Sequence, residues 1–344
     1  MVKGNTRFQK TGKLEISILK RFLGRNPVLD PRVVIGPEIG EDAAVIDPGR
    51  KTDRYWVVTS DPITFATEKI GYYGVVVNLN DIATMGAIPK WFSATLLFPE
   101  GSRLKDIERV FRQVRDACHR FNVSLIGGHT EITPGIEKMI LSGQMIGEVK
   151  KDKLVTTGGA RPGDFLLLVK GVCIEGTSIM AREKEAELLK RGIPSSVIRK
   201  AQRFIFDPGI EVLRPARIAC EVSSVHAMHD PTEGGLVNGI IEMAWASESE
   251  IEVDLGKVLI YEESRILCRE FGIDPLGTIA SGALLLAVPP SGLLPIQKAF
   301  KKNSIPFGVI GRIKKKGPPR VLRIDQKGRK ELKPLPQDEI LKIF

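Results

Sequence analysis

Short apolar runs alternate with segments of helical periodicity along the first half of the chain. The strand-like runs are YWVVTS (55–60), WFSATLLF (91–98), VSLIGG (123–128) and MILSGQMIGEV (139–149). Helix-like segments lie between them, at 71–86 and 103–121. In the second segment, apolar side chains recur at helical spacing, at Leu104, Ile107, Val110, Phe111, Val114 and Cys118. Strands that alternate with helices predict an α/β or α+β domain.

A cluster of turn-forming residues, TTGGARPGD (156–164), is the best candidate for a domain boundary. Beyond it, the pattern predicts buried strands and further helices, with strands at 165–172 and 281–289 and helices at 176–192 and 231–248. The end of the chain predicts a strand and a last short helix, QDEILKIF. A length of 344 residues suits two domains, which we expect at 1–155 and 156–344.

Composition narrows the class of protein. Apolar residues make up 42% of the chain and charged residues 27%, as in soluble globular proteins. No apolar run is long enough to span a membrane, and the N-terminus lacks the apolar core of a signal peptide. The four cysteines are far apart in sequence and form no CxxC. We therefore expect neither a zinc site nor a disulfide framework, and we expect a cytoplasmic protein.

The net charge of +10 is concentrated at the two ends of the chain. Residues 1–25 hold seven Lys or Arg against one acid, and residues 297–344 hold fourteen against four. The body between them is therefore net acidic. A nucleic-acid-binding domain would be expected to carry a basic stripe on its folded face, so nucleic acid is the weakest candidate partner. The basic ends are either solvated termini or, at the N-terminus, an arm that closes over a polyanion.

The stretch NLNDIATMGAIPKW (78–91) predicts a short amphipathic helix with Asn80 and Asp81 at its start. An amide and a carboxylate next to apolar residues that should be buried require an explanation. Carboxylates recur in similar settings, with Asp42 in GEDAAVID, Asp61 in TSDPIT and Asp230 in HDPTEGG. Each lies where a predicted strand begins or ends, or where a predicted helix begins.

Helix capping is the structural alternative for some of these acids. Asp-Pro occurs six times in the chain, and Asp as N-cap before Pro at the first helical position is a common way to start a helix. Asp230 and Glu233 also have the spacing of a capping box. Taken singly, Asp61 and Asp230 are better explained as caps. His129 is better explained as a turn histidine than as a ligand.

The acids as a set favour a different interpretation. Glycine pairs at 127–128 and 234–235 would allow the backbone to approach phosphate oxygens closely. Carboxylates converging there would repel a phosphate unless divalent cations lay between them. Mg²⁺ prefers a few carboxylates, several waters and substrate phosphates. The set therefore predicts a Mg²⁺–nucleotide site. The sequence has neither a GxxxxGK[ST] loop nor the HRD and DFG motifs of protein kinases.

The ordered motifs GEDAAVID, TSDPIT, NLNDIATMGA, GGHTEITPG, GTSIMA and HDPTEGG resemble those of the PurM-like, or aminoimidazole ribonucleotide (AIR) synthetase, superfamily. That superfamily includes PurM, formylglycinamide ribonucleotide amidotransferase, thiamine-monophosphate kinase, selenophosphate synthetase and the hydrogenase maturation protein HypE. The resemblance covers roughly residues 10–290. It is most evident to HypE and to archaeal proteins called AIR-synthase-related.

The resemblance implies a two-domain α/β (α+β) fold. Its N-terminal ATP-binding domain would pair with a second copy in a homodimer and build a shared β-barrel, and its C-terminal domain would be an α/β sandwich. The implied chemistry is attack on the γ-phosphate of ATP by an amide, carboxylate or phosphate oxygen. Positioning and charge neutralisation by Mg²⁺ carry most of the catalysis in such a transfer.

Site residues are carried over motif by motif. The resemblance implies that Mg²⁺ is held by acids that match the family's metal ligands, namely Asp42, Asp61, Asp81 and Asp230. Asp81 and Asp230 would also be catalytic. The implied nucleotide contacts are Lys10 and Lys13 in a mobile arm, Asn80, and the glycine-rich turn Gly127, Gly128, His129 and Thr130. Asn80 and Asp81 would then be buried because they face Mg²⁺–ATP.

Departures from the family pattern leave the acceptor of the phosphoryl group open. HypE uses a cysteine in a C-terminal tail, whereas this chain ends DEILKIF and its last cysteine is Cys268. Selenophosphate synthetase needs Cys or selenocysteine in an N-terminal loop, but the first cysteine here is Cys118. We expect an ATP-dependent phosphotransferase or ligase-like enzyme with an unidentified small-molecule or protein acceptor. The alternative is a HypE-like maturation or regulatory binding protein.

Overall fold

The computed structural model describes residues 11–14, 16–23, 28–64, 68–326 and 328–344. The helices of these ranges are α1 Ile16–Leu23, α2 Ile70–Thr84, α3 Leu104–Arg120, α4 Ile174–Glu183, α5 Glu185–Lys190, α6 Ser195–Gln202, α7 Leu213–Val222, α8 Gly235–Ala246, α9 Glu262–Phe271 and α10 Pro290–Lys302. The first strands are β1 Val33–Ile35, β2 Ala44–Ile46, β3 Arg54–Thr59, β4 Pro62–Ile63, β5 Ile88–Pro99, β6 Ser124–Thr133 and β7 Ile140–Lys150. The later strands are β8 Phe165–Val169, β9 Ala227–His229, β10 Ser249–Val253, β11 Leu284–Val288, β12 Phe307–Lys316, β13 Arg320–Asp325 and β14 Gly328–Leu332.

Two sheets divide these strands between the two halves of the chain. The first has the order β1-β2-β3-β7-β5-β6, with β4 also paired to β7, and the second has the order β14-β13-β10-β12-β8-β11-β9. Most neighbours are antiparallel, but β5 and β6 are parallel, as are β10 and β13. The predicted mixed α/β class is therefore confirmed. A closed barrel stays a prediction.

Alternation along β5 and β7 decides which face of the first sheet is covered. Phe92, Leu96 and Phe98 of β5 are buried, as are Leu141 and Met145 of β7. Side chains at every second position of a strand point to the same face, so these residues form a continuous apolar surface. Helices α2 and α3 pack against each other and contribute to the same core.

Helix α2 is buried along all fifteen of its residues. The helix-like segment predicted at 71–86 corresponds to α2, but the interpretation of 78–91 as a short helix with Asn80 and Asp81 at its start was wrong, because the helix starts at Ile70 and these two residues lie in its last two turns. The first eight residues of α2, IGYYGVVV, extend the helix on the N-terminal side of Asn78. A helix that is apolar on every side is a core helix.

Two other predicted boundaries also differ. The segment 176–192 forms two helices, α4 and α5, which are separated at Lys184. Helix α8 begins at Gly235, with Gly234 in the left-handed region at its N-cap. Asp61 precedes the short strand β4 rather than a helix. The capping explanation is therefore wrong for both Asp61 and Asp230.

The structure shows the state of the four cysteines and the ion pairs of the basic C-terminal region. All four cysteines are free, but Cys173 Sγ and Cys268 Sγ lie 3.7 Å apart where α4 packs on α9. Basic side chains of β12–β14 form ion pairs with Glu250 and Glu252 of β10. Part of the C-terminal charge is therefore balanced within the second sheet. No helix in the described part of the chain is long and apolar enough to cross a membrane.

Gly128 provides a test of how closely β5 and β6 approach each other. A Cβ atom at Gly128 would lie 1.9 Å from the carbonyl oxygen of Ala94, whereas one at Gly127 would have no neighbour within 4 Å. Both glycines have positive φ. We predict that Gly128→Ala lowers the free energy of unfolding by about 3 kcal/mol or more, and Gly127→Ala by about 1 kcal/mol. Urea denaturation measures both, and equal losses would contradict the close approach.

Candidate functional site

The four predicted metal-site acids come from separate segments. Asp42 precedes β2, Asp61 follows β3, Asp81 lies in α2 and Asp230 follows β9. The Thr59 hydroxyl donates a hydrogen bond of 2.6 Å to Oδ2 of Asp81. The fold therefore brings acids from both halves of the chain to one buried region.

Asn78 of α2 positions the segment that carries Asp61. Its Oδ1 accepts a hydrogen bond of 2.9 Å from the backbone N–H of Asp61. Its Nδ2 donates to the carbonyl oxygens of Gly74 and Asp61. One amide thereby attaches the end of β3 to the helix.

The acids repel one another electrostatically. Burial raises the pKa of Asp81 well above its usual range, and Asp61, Asp230 and Asp42 raise it further. Burial and the charge of Asp42 likewise raise the pKa of Asp230, and burial raises the pKa of Asp61. Buried carboxylates in this arrangement are stabilised by a cation.

Two buried carboxylate oxygens support the fit of this region to Mg²⁺. Oδ2 of Asp42 and Oδ2 of Asp230 have no hydrogen-bond partner within the described residues. Among those residues, no three acidic, histidine or cysteine side chains are grouped so that they could hold a metal ion by themselves. This donor set fits a Mg²⁺ ion that takes its remaining ligands from waters and phosphate oxygens. It does not fit a metal held by protein alone.

A histidine links the acid cluster to the N-terminal segment. His229 Nδ1 lies 2.6 Å from Oδ1 of Asp42, and its Nε2 lies 3.0 Å from Oε2 of Glu242. Desolvation would lower the pKa of His229, but the two carboxylates raise it well above the usual value. The imidazolium form donates to both. Lys13 Nζ lies 3.3 Å from Oε1 of Glu242 and donates to the Thr232 hydroxyl.

Sequence reasoning missed the roles of His229 and Glu242. His229 was visible as the neighbour of Asp230 in HDPTEGG, and two histidines in HAMHD (226–230) were its only signal. Glu242 had no signal, because it lies in the middle of a helical pattern, twelve residues after Asp230. Only the packing of α8 against this region identifies it as a partner of His229.

The glycine-rich turn lies elsewhere in this chain. Gly127, Gly128, His129 and Thr130 are on β6, at the edge of the first sheet, and are exposed. Strands β7 and β5 separate β6 from β3, which leads to Asp61. His129 Nε2 lies 2.9 Å from Oε2 of Glu131. A single copy of the chain thus does not bring these residues to the acids, and their contact with nucleotide stays a prediction.

Asn80 and Glu41 connect the two halves of the molecule. Asn80 Nδ2 donates to the carbonyl oxygen of Ile210, and its Oδ1 accepts from the N–H of Val212, both at 2.9 Å. Glu41 accepts from the backbone N–H groups of Thr157 and Gly158, at 3.0 and 2.7 Å. The amide nitrogen and the amide oxygen of Asn80 thus both bond to backbone groups.

A cavity of about 330 Å³ lies beside the acids. Lys13, Asp61, Glu175, Thr232 and Glu233 are among the residues that line it. Desolvation would lower the pKa of Lys13, but Glu242, Glu233 and Asp61 raise it above the usual value. Lys13 therefore stays cationic at the cavity. Lys10 lies outside the described residues.

Glu242 should make stability depend on pH. Burial alone would raise its pKa, but Lys13 and His229 lower it from 4.5 to about 2. A carboxyl with a lowered native pKa stabilises the fold above its unfolded pKa, and this contribution is lost as pH falls toward the native value. We predict that Glu242→Gln costs about 3 kcal/mol of unfolding free energy near neutral pH. Urea denaturation from about pH 7 to about pH 3 should show the difference shrinking, and a constant difference would contradict the ion-pair explanation.

Comparison with known proteins identifies the family. The chain matches the AIR synthase related protein family over both its N-terminal domain, at residues 40–149, and its C-terminal domain, at residues 161–323. A protein named for hydrogenase expression and formation from Methanocaldococcus jannaschii is 30% identical over 282 residues, which cover 80% of each chain. A thiamine-monophosphate kinase from Pyrococcus horikoshii is 27% identical over 80% of this chain and 82% of its own.

Solved structures show the same fold. The crystal structure of the hydrogenase maturation protein HypE in complex with ATP matches with a TM-score of 0.69 and 22% identity, over 94% of this chain and 91% of the other. The chain thus has a known two-domain architecture, and the resemblance drawn from the motifs is confirmed. The chain belongs to the AIR synthase related protein family and has the PurM-like two-domain fold.

Proposed function

We propose that this protein is a Mg²⁺-dependent ATP-binding enzyme that transfers the γ-phosphoryl group of ATP to an acceptor, or activates the acceptor in that way. The observation that carries the proposal is the group of Asp42, Asp61, Asp81 and Asp230, in which Asp81, Asp230 and the side chain of Asp42 are buried and two carboxylate oxygens have no hydrogen-bond partner within the described residues. The ATP bound in the related HypE structure and the kinase activity named for a relative support it.

Each residue would have a distinct task. Asp61 and Asp81 would be the principal ligands of Mg²⁺ shared with the triphosphate, and Asp42 and Asp230 would complete the negative side of the site. His229 would hold Asp42 in place through its 2.6 Å hydrogen bond. Lys13 would contribute positive charge toward the phosphates, as would Lys10. Mg²⁺, when bound, supplies the charge neutralisation on which phosphoryl transfer depends.

The reaction would be a substitution at phosphorus. An acceptor oxygen forms a bond to the γ-phosphorus as the bond to the β–γ bridging oxygen breaks, and ADP leaves with that electron pair. The protein has to align the acceptor with the γ-phosphate and exclude water from between them. The cavity beside Asp61 is the space in the described structure where an acceptor could meet these requirements.

Asp81→Asn tests the metal-site assignment. The substitution removes one negative charge and keeps an oxygen that can accept from Thr59. We predict that it weakens Mg²⁺-dependent ATP binding by at least about tenfold, measured by calorimetry with and without Mg²⁺, and that Asp61→Asn does the same. The exposed Asp53 supplies the control, since Asp53→Asn should leave the affinity unchanged. Undiminished affinity in both site variants would exclude the two acids as metal ligands.

A HypE-like binding or regulatory protein is the competing function. The name of the M. jannaschii relative favours it. Such a protein would retain ATP affinity without turnover. Measurement of ADP release in the presence of a metabolite library distinguishes the two functions, because only an enzyme should show acceptor-dependent release.

The exposed edge of the first sheet supports a homodimer. Among the described strands, β6 has a neighbour on one side only, and Leu125, Ile126 and Ile132 on it are about half exposed. Unpaired edge strands with apolar side chains tend to associate. A second copy could place its own Gly127–Thr130 turn near the nucleotide and help to form the shared barrel.

Light scattering tests the dimer. We predict a mass of twice 37.9 kDa for the wild-type chain at micromolar concentration. Ile126→Lys should shift the mass toward the monomer, because a lysine on an edge strand opposes strand pairing. Leu294 of α10 has the same exposure as Ile126, 58%, so Leu294→Lys is a matched control that should remain dimeric. A monomeric wild-type chain would contradict the proposal.

A further inference from the structure

Glu175 is a buried carboxylate that the proposed metal site does not use. It lies in the first turn of α4, is 3% exposed, and lines the cavity beside Asp61. Its Oε2 has no hydrogen-bond partner within the described residues. Ser281 hydrogen-bonds to the Glu175 carboxyl group, but burying an oxygen without a partner is unfavourable, so Oε2 calls for a donor that the described residues do not provide.

Stabilisation of α4 does not account for Glu175. An acid in the first turn interacts favourably with the helix dipole at the surface, where it remains solvated. Glu175 is instead enclosed. Burial raises its pKa to about 7, and Asp338 and Glu233 add to the rise. Glutamine at this position would serve the helix equally well without the cost of burying a charge.

The charges around the cavity indicate what it can hold. Asp61, Glu175 and Glu233 give it three carboxyl groups. Lys13 is the one basic residue among the described residues that line it, and its ammonium group already contacts Glu242 and Thr232. A carboxylate or phosphate group of the acceptor entering near Glu175 would meet like charges, because Lys13 is held by these contacts and is assigned to the triphosphate in the proposed function. A group that donates N–H bonds would be attracted.

Part of the cavity lining is apolar. Ile63, Val77, Ile179 and Ile279 form this part, and all four are buried. A ligand that fills this space therefore needs an apolar body as well as a polar end. The volume of about 330 Å³ restricts the ligand, or the part of it that enters, to the size of a small metabolite.

We infer that Glu175 binds the acceptor substrate, and that this substrate is a small molecule that carries, besides its attacking oxygen, an apolar body and a nitrogen group that donates N–H bonds, such as an amidine, amine or carboxamide. Glu175 accepts those bonds and orients the acceptor beside Asp61. The identification of this ligand as the phosphoryl acceptor rests on the proposed function. The binding preference of the cavity can be measured without ATP.

Four probes with the same phenyl body separate the possible polar groups. Calorimetry at millimolar ligand should show that benzamidine and benzamide bind the wild-type protein and that benzoate and phenyl phosphate do not. Glu175→Gln should weaken benzamidine binding by at least about tenfold, because a charge-assisted hydrogen bond is lost, and should weaken benzamide binding less. Glu185, an exposed acid in the first turn of α5, supplies the control, since Glu185→Gln should leave both affinities unchanged.

Three results would overturn the inference. One is binding of benzoate or phenyl phosphate as tight as that of benzamidine. Another is unchanged benzamidine affinity in Glu175→Gln, and the third is no binding of any probe to the wild-type protein. If the glutamine variant does not fold, Glu175→Asp replaces it, because the shorter side chain keeps the charge but moves it, and benzamidine affinity should again fall.

Mg²⁺–ATP affinity of the wild-type protein is measured in the same preparation. Benzamidine binding without ATP binding would disprove the proposed function and leave the cavity assignment intact. ATP binding without probe binding would disprove the cavity assignment and leave the proposed function intact.

Discussion

Repulsion among buried carboxylates is the constraint on which the rest of this structure depends. Asp42, Asp81 and Asp230 are almost fully enclosed, the charges of Asp42 and Asp230 raise the pKa of Asp81, and the charge of Asp42 raises the pKa of Asp230. A fold optimised only for stability would not assemble such a group. The cluster is held by the surrounding hydrogen bonds and by the apolar core, so its arrangement is more readily explained by a cationic ligand than by packing.

The imidazolium of His229 balances part of this charge. It lies between Asp42 and Glu242, and Glu242 in turn meets Lys13. The resulting chain of alternating charges connects the beginning of the first sheet, helix α8 and the N-terminal segment. Because an ion pair in a buried site is stabilised only when both partners remain in place, the N-terminal segment and the acids depend on each other.

Helix α2 is the element that joins the two halves of the molecule. Asn78 holds the segment of Asp61, Asp81 belongs to the acid cluster, and Asn80 bonds to the backbone of Ile210 and Val212. The C-terminal segment reinforces this region from the other side. Asp338 accepts N–H groups from Gly234 and Ile279, next to the loop that carries Asp230. Each of these polar side chains of α2 thus either bonds to a neighbouring segment or belongs to the acid cluster.

Much of the fold was predictable because its signals are local. Alternation along WFSATLLF and helical spacing in 103–121 predicted β5 and α3, and the ordered acidic motifs indicated the family and its nucleotide chemistry. The sequence by itself determined most of the elements and the membership of the family, and it predicted the chemistry of the acids. Tertiary structure alone decided that Asn80 bonds to a loop 130 residues away, that Glu242 is the partner of His229, and that Glu175 faces a cavity. Contacts of this kind join segments far apart in the chain, and no periodicity or motif records which of them will meet when the apolar surfaces are buried.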